Sequence, residues 1–238
     1  MSASPTAEEI PSDLIDAVVE LVDTGPVPLG AYTLAEIAAV NGVIDFLERE
    51  PAAELVAEAV RSLAARNLIT TAPGEDDVEV RGDLGIALAF QERSRLGVDT
   101  RLTGTKADEP WRILLLPQPE GVTLEVMIDA LGIHFYWLRL TNDALDRLED
   151  RLPDGDRGPK DASADAVLAA SANTALVTAT TWKDDGTRDS TDVVLANQDG
   201  TLHVFLRDPV DASHLVAHAL DHDEAKRLID QLAGGRHE

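Results

Sequence analysis

The chain has 238 residues, 44% of them hydrophobic, and a formal net charge of −24 from 44 acidic against 20 basic side chains. That is enough apolar residue for one large domain or two small ones with a buried core. The acidity argues against nucleic acid and anionic membrane as partners, because affinity for both comes from Lys and Arg displacing counterions.

No cysteine is present, which excludes disulfides, thiolate metal sites and thiol nucleophiles together. The apolar runs fall short of the roughly 18 residues needed to cross a bilayer, and the opening MSASPTAEEIPSD is too polar for a signal peptide. A cytoplasmic location is expected. With aromatic residues at only 4%, the core must be built from Ala, Val, Leu and Ile, and Trp111, Trp137 and Trp182 are each unusual.

In chain order, residues 1–12 read as a disordered tail. Ser12 and Asp13 are placed to cap a first helix carrying Leu14, Ile15, Val18, Val19 and Val22, stopped by Gly25 and Pro26. Thr33 caps a second helical stretch, LAEIAAVNGVIDFLE, interrupted by Gly42. Glu54 to Arg66 forms an amphipathic helix with Leu55, Val56, Ala59, Val60 and Leu63 on one face and Asn67 as its left-handed stop. LITTAPGEDDVEVR, 68–81, then reads as a short hairpin around Gly74.

From about residue 83 one plan is written twice. GDLGIALAFQERSR and ASADAVLAASA open each copy as helices. LGVDTRLTG, WRILLLPQ, GVTLEVMID and GIHFYWLRL are successive strands of the first copy, and TALVTATTW, TDVVLANQ, GTLHVFLRD and SHLVAHAL those of the second. Thr141-Asn142-Asp143 and Asp221-His222-Asp223 cap the closing helices. Without a gap, His134 to Leu152 and His214 to Leu232 are identical at seven positions: His134/His214, Leu140/Leu220, Asp143/Asp223, Arg147/Arg227, Leu148/Leu228, Asp150/Asp230 and Leu152/Leu232.

The expected fold is therefore α+β, with two helix, four-stranded antiparallel meander, helix repeats related by a pseudo-twofold axis, preceded by a helical, winged-helix-like N-terminal segment. In superposition His134 should lie over His214 and Arg147 over Arg227. The expected division is a tail over 1–12, a helical segment with hairpin over 13–82, repeat 1 over 83–152, a linker over 153–162, repeat 2 over 163–232 and a tail over 233–238.

The copies differ most in their fourth strands, where Phe135, Tyr136 and Trp137 stand against Leu215, Val216 and Ala217. Alternation puts Phe135 and Trp137 on one face and His134, Tyr136 and Leu138 on the other, so both faces carry bulk. One face suits the core and the other an interface, or both are buried between sheet and helices. Trp111, after the polar loop LTGTKADEP, belongs to the same half. Trp111, Phe135, Tyr136 and Trp137 are the candidate partner-binding residues, since buried aromatics are the usual anchors of protein interfaces.

His203, His214, His218 and His222 are four of the six histidines. On one continuous helix His214, His218 and His222 would line a face fit for zinc. The repeat instead assigns 214–220 to a strand and His222 to a helix cap, so no metal site is expected. Neither G-x-S-x-G, G-x-G-x-x-G, a P-loop nor H-E-x-x-H occurs, and no cofactor or enzymatic activity is expected. The order helix, helix, hairpin over residues 33–81 is that of a winged helix. Glu54 and Glu58 on the would-be recognition helix and Glu75, Asp76, Asp77 and Glu79 on the wing would face phosphates directly, so protein packing is its expected use.

The run AEAVRSLAARNLITTAPGEDDVEVRGDLGIALAFQERSRLGVDTRL, the strand GVTLEV followed by DALDRLEDRLP, and the linker to a second similar half resemble the EspG proteins of actinobacterial type VII secretion. The likeness spans most of residues 55–232. It implies a cytosolic, non-enzymatic chaperone that holds a helical secretion substrate of the PE/PPE type until export, as a monomer or homodimer. A winged-helix transcriptional regulator and a self-associating scaffold are the alternatives.

The charge balance generates the first prediction. No measurable binding to duplex DNA or to anionic vesicles is expected at physiological salt. Micromolar affinity with a steep salt dependence would refute it and restore the regulator.

Overall fold

A computed structural model describes residues 12–40, 51–71, 78–211 and 213–235. Helix α1 (Ser12–Asp23) leads to strand β1 (Val27–Thr33), α2 (Leu34–Ala39) and α3 (Ala53–Ala65). A two-stranded sheet of β2 (Ile69–Thr71) and β3 (Val78–Val80) follows. Next come α4 (Gly82–Arg93), strands β4 (Leu96–Leu102), β5 (Arg112–Pro117), β6 (Val122–Ile128) and β7 (Ile133–Leu140), and α5 (Thr141–Glu149). After the short β8 (Asp156–Arg157), the order helix, four strands, helix recurs as α6 (Ala164–Ala170), β9 (Asn173–Trp182), β10 (Arg188–Gln198), β11 (Thr201–Arg207), β12 (Leu215–His218) and α7 (His222–Leu232).

Ten strands form one sheet in the order β1-β7-β6-β5-β4-β9-β10-β11-β12, with β8 beside β11. The protein is thus α+β, built on a large antiparallel sheet. Its centre is the antiparallel pairing of β4 with β9, from Leu96↔Thr181 to Leu102↔Ala175, which joins the two meanders by their first strands.

Because directly opposed residues share a face, the register sorts the sheet into two. On the front lies the row Ala31, Phe135, Met127, Ile113, Thr100, Val177, Val193, Leu206, Val216. Its central part is one core beneath Leu145 and Leu148 of α5 and Ala225 and Ile229 of α7. Each of these Leu and Ile side chains contributes about 1.5–3 kcal/mol by leaving water.

On the back lies the row Gly30, Tyr136, Val126, Leu114, Asp99, Thr178, Asp192. Two separate cores form there. Val18 and Val22 of α1, Ile37 of α2, Leu63 of α3 and Phe90 of α4 cover β5, β6 and β7, while Val167 of α6 meets Val194 and Phe205.

Between the two back cores the sheet is charged. Arg112 donates twice to Asp99, at 2.8 and 2.9 Å, with both residues buried. On the far side of the seam, within the second meander, Thr178 of β9 donates to Asp192 of β10 at 2.8 Å, and Arg207 of β11 also donates to Asp192. Gly97 has no Cβ where one would stand 2.8 Å from the Trp182 ring, so the indole lies over the seam and joins the larger back core.

Several expectations need correction. Val27–Thr33 is not part of a separate N-terminal segment, because β1 pairs antiparallel with β7 and closes the main sheet. The order helix, helix, hairpin over residues 33–81 is present as α2, α3 and β2–β3, and β2 pairs with β3 alone among the described residues. Thr33 does cap α2, in a reciprocal box with Glu36. Burial opposes charge on Glu36, but the Thr33 N–H, the Ser62 hydroxyl and the Arg66 guanidinium hold its carboxyl below the usual value. Just past the end of α3, Asn67 takes a left-handed φ of 57° and stops the helix. The Gly42 interruption, the hairpin tip at Gly74 and the tail before α1 lie outside the described residues.

Thr141 is no cap either. It is the first residue of α5, buried, with its hydroxyl against that of Thr123 at 2.9 Å, whereas Asp221 caps α7 with Glu224. The segment expected as a linker contains β8, and the tail expected from 233 begins with Ala233 inside the front core.

The buried positions do not follow the spacing of the His134/His214 and Arg147/Arg227 identities. Helix α5 starts at Thr141 and α7 at His222, and the inward positions Ala144, Leu148 and Leu152 match Ala225, Ile229 and Ala233. The ungapped identities are spaced one residue more closely than these pairs. In the strands, Tyr136 and Ala217 take the back face, each opposite a core residue, Val126 and Phe205. A one-residue slip in a strand turns every side chain to the other face, so His134 and His214 are not equivalent.

The charged seam generates a prediction. Asp99→Ala leaves buried Arg112 without its bidentate partner and should destabilise the protein by about 3–5 kcal/mol. Thr178→Val, which removes one partly exposed hydrogen bond, should lose about 1 kcal/mol. Urea unfolding of both variants checks this, and equal losses would show that the ion pair does not anchor β4 to β5.

Candidate partner-binding surface

Strand β7 supplies three of the four candidate residues, and its pleat separates them. Tyr136 points to the back and is 1% exposed. Its ring meets Tyr32 edge-on at 5.7 Å, and burial pushes its phenol well above the ordinary value. Tyr32 donates to the carbonyl of Leu29 at 2.7 Å, and its phenol is pushed up to about 12 by the same burial. Gly30, at φ +113°, makes room for that ring, since a Cβ there would sit 2.7 Å from the Tyr32 oxygen. Tyr136 is therefore a core residue, taken by the N-terminal helices that the strand pattern alone left out of account.

Phe135 and Trp137 face front and are partly buried, at the margin of α5. On β1, exposed Ala31 stands opposite Phe135 and exposed Pro28 opposite Trp137. On β6, Met127 is opposite Phe135 and Glu125 opposite Trp137. The guanidinium of Arg139 lies 5.0 Å from the centre of the Trp137 ring, a cation–π contact, and Arg139 also donates to Glu125. Arg147 of α5 approaches the other Glu125 oxygen at 3.5 Å and the Met127 sulfur at 3.8 Å. Glu125, only 1% exposed, is thus held by two arginines, and the indole is fixed in orientation.

Trp111 is partly buried at the sheet end. Its backbone N–H donates to Ile128, and its indole N–H to the carbonyl of Asp129 at 2.9 Å, so it braces the β6–β7 turn. The Asp129 carboxylate accepts from the N–H groups of Leu131 and Ile133, both at 2.9 Å, and leaves Leu131 86% exposed at the tip. The front of β1, β7 and β6 therefore presents Phe135, Trp137, Met127, Pro28 and Ala31, with Trp111 and Leu131 at one end. The participation of β1 and the Glu125–Arg139–Arg147 cluster were not foreseen. VPLGAYT has strand residues, but its Pro and Gly break the alternation that marks a strand.

A cavity of about 620 Å3 opens at the same sheet end, between Leu102, Gly104, Arg147, Arg151, Asn173 and Asn197. Glu109, Asp150 and Asp154 also reach it, and no histidine, serine or cysteine does among the described residues. The hydroxyl residues Thr103, Thr105 and Thr174 line it as well, so polar contacts with a partner are within its means.

The histidines are dispersed. His203 stacks on Phe205 with ring centres 6.3 Å apart, His214 contacts Asp211 at 3.1 Å, and His222, first residue of α7, lies 3.3 Å from Asp154. Among the described residues no group of three His, Cys, Asp or Glu side chains is arranged to hold a metal. No described helix is long and apolar enough to cross a membrane. The chain matches no protein-family model and no curated protein.

This geometry separates stability from docking. Tyr136→Ala should lose about 3–5 kcal/mol of folding stability, as for other large buried aromatics. Phe135→Ala, at the partly exposed position next door, should lose about 1 kcal/mol. Chemical denaturation of the two variants tests the division, and comparable losses would place Phe135 in the core.

Proposed function

We propose that the protein is a cytosolic, non-catalytic chaperone of the EspG type, which holds a helical PE/PPE-like type VII secretion substrate before export. The observation that carries this reading is the front face of β7, where Phe135 and Trp137 stay partly exposed beside Pro28, Ala31 and Met127 at the margin of α5. An apolar helical tip laid on that face would cover these side chains, with Leu131 at the rim. The oriented indole supports the role, because an anchor already fixed by Arg139 loses little freedom on binding. The charge of −24 keeps chaperone and client from co-aggregating while apolar surface is being exchanged.

The repeated order of elements supports the same reading. Two copies of one module, related by a pseudo-twofold axis through the β4–β9 seam, would have begun with equivalent fourth strands. The aromatic β7 and the plainer β12 then mark the first copy as the specialised one.

Two measurements test the proposal. A pull-down from the native cytosol should recover a helical protein encoded beside secretion genes; recovery of DNA would favour a regulator, and recovery of this chain alone a scaffold. With that partner, Trp137→Ala should weaken binding by about 30-fold or more, as expected when an anchor worth about 2 kcal/mol is lost, while the melting temperature stays within a few degrees. Full affinity in the variant would move the docking face elsewhere.

A further inference from the structure

The two ends of the sheet are finished differently. At one end the fourth strand β7 is covered along its edge by β1, over Val27↔Leu138 to Thr33↔Ile133. At the other end the fourth strand β12 pairs with β11, and no described strand lies beyond it. Asp208 donates its N–H to the carbonyl of His214, which sets the alternation of this hairpin. By that alternation Val216 and His218 exchange hydrogen bonds with β11, and the N–H and C=O groups of Leu215 and Ala217 point outward.

The same hairpin carries two of the six large hydrophobic side chains left exposed in the described protein, Val210 at 94% and Val216 at 41%. On the back, Leu215 and Ala217 extend the small core formed with α6 and end it at the edge.

We infer that the outer edge of β12 accepts an extended segment of a partner protein, apolar at its centre and basic at its ends. The filled place beside β7 shows that this sheet takes a further antiparallel strand next to a fourth strand. Alternate side chains of an added strand would fall beside Val216 on the front and beside Leu215 and Ala217 on the back. Acidic residues flank β12 in the chain, Asp208 and Asp211 before it and Asp223 after it, and with the net charge of −24 they favour a basic segment.

A second copy of the chain fits less well. Four strand residues extend about 14 Å, too short a contact to approach the roughly 800 Å2 per partner of a stable dimer, and each copy carries a charge of −24. A short peptide strand gains its main-chain hydrogen bonds without needing such an area.

The test uses the isotope-labelled full chain and a capped peptide, Lys-Lys-Val-Thr-Val-Thr-Val-Lys-Lys, titrated by NMR. The amides of Leu215 to His218 should shift, and exchange with solvent should slow at Leu215 and Ala217. Peptide N-methylated at two successive central residues, which blocks both of its edges, should bind at least about tenfold more weakly, as should Ala217→Pro with the unmodified peptide. Trp137→Ala should leave peptide binding unchanged, which keeps this site distinct from the aromatic face. The proposal is overturned by absence of binding, by affinity that survives N-methylation, by shifts that map elsewhere, or by concentration-dependent dimerisation that β12 mediates.

Discussion

The pairing of β4 with β9 is the contact on which the rest of the structure depends. A four-stranded meander has two open edges and two faces, and a 70-residue unit has few helices with which to cover them. Joining the first strands removes two edges at once and brings the closing helices α5 and α7 onto one continuous front core. Val98, Leu102, Val177 and Ala179 lie in the middle of that core, at the seam itself. Either meander alone would expose this surface.

The back of the seam has a different composition. Helices arrive from the two sides, α1 to α4 over one half and α6 over the other, and leave a strip between them where hydrogen bonds and charges replace apolar packing. Asp99 is matched by Arg112, and Asp192 by Thr178 and Arg207. Ionic rows of this kind add little to net stability compared with apolar packing, but a shifted register would leave a charge buried without its partner. Asp99–Arg112 ties β4 to β5, and Asp192 ties β10 to its neighbours β9 and β11, so the strip acts against strand slippage within each meander.

Seen from the seam, the two outer strands have unequal neighbours. β7 receives β1 along its edge and the N-terminal helices on its back, which commits Tyr136 to the core and leaves Phe135 and Trp137 as the front of a completed sheet margin. Among the described residues β12 receives neither, and its hairpin keeps Val210 and Val216 in contact with water. A single arrangement of elements thus ends in an aromatic surface on one side and an open strand edge on the other, suited to different kinds of contact.

Elements with a strong local signal were legible in the residues themselves. Alternation and turn chemistry marked the eight strands of the two meanders; Thr33 and Asp221 announced their helices as N-caps; Asn67 stopped α3. These depend on neighbours a few positions away, and periodicity records them. The pleat likewise separated Tyr136 from Phe135 and Trp137, but which face was core depended on helices far away in the chain. Only the tertiary structure decided that β1 joins β7, that Asp99 finds Arg112, and that the inward positions of α5 and α7 are spaced one residue away from the ungapped identities. The reason is that long-range pairing is chosen by complementarity of whole faces, and Leu and Asp recurring in any capped amphipathic helix match equally well in two neighbouring registers.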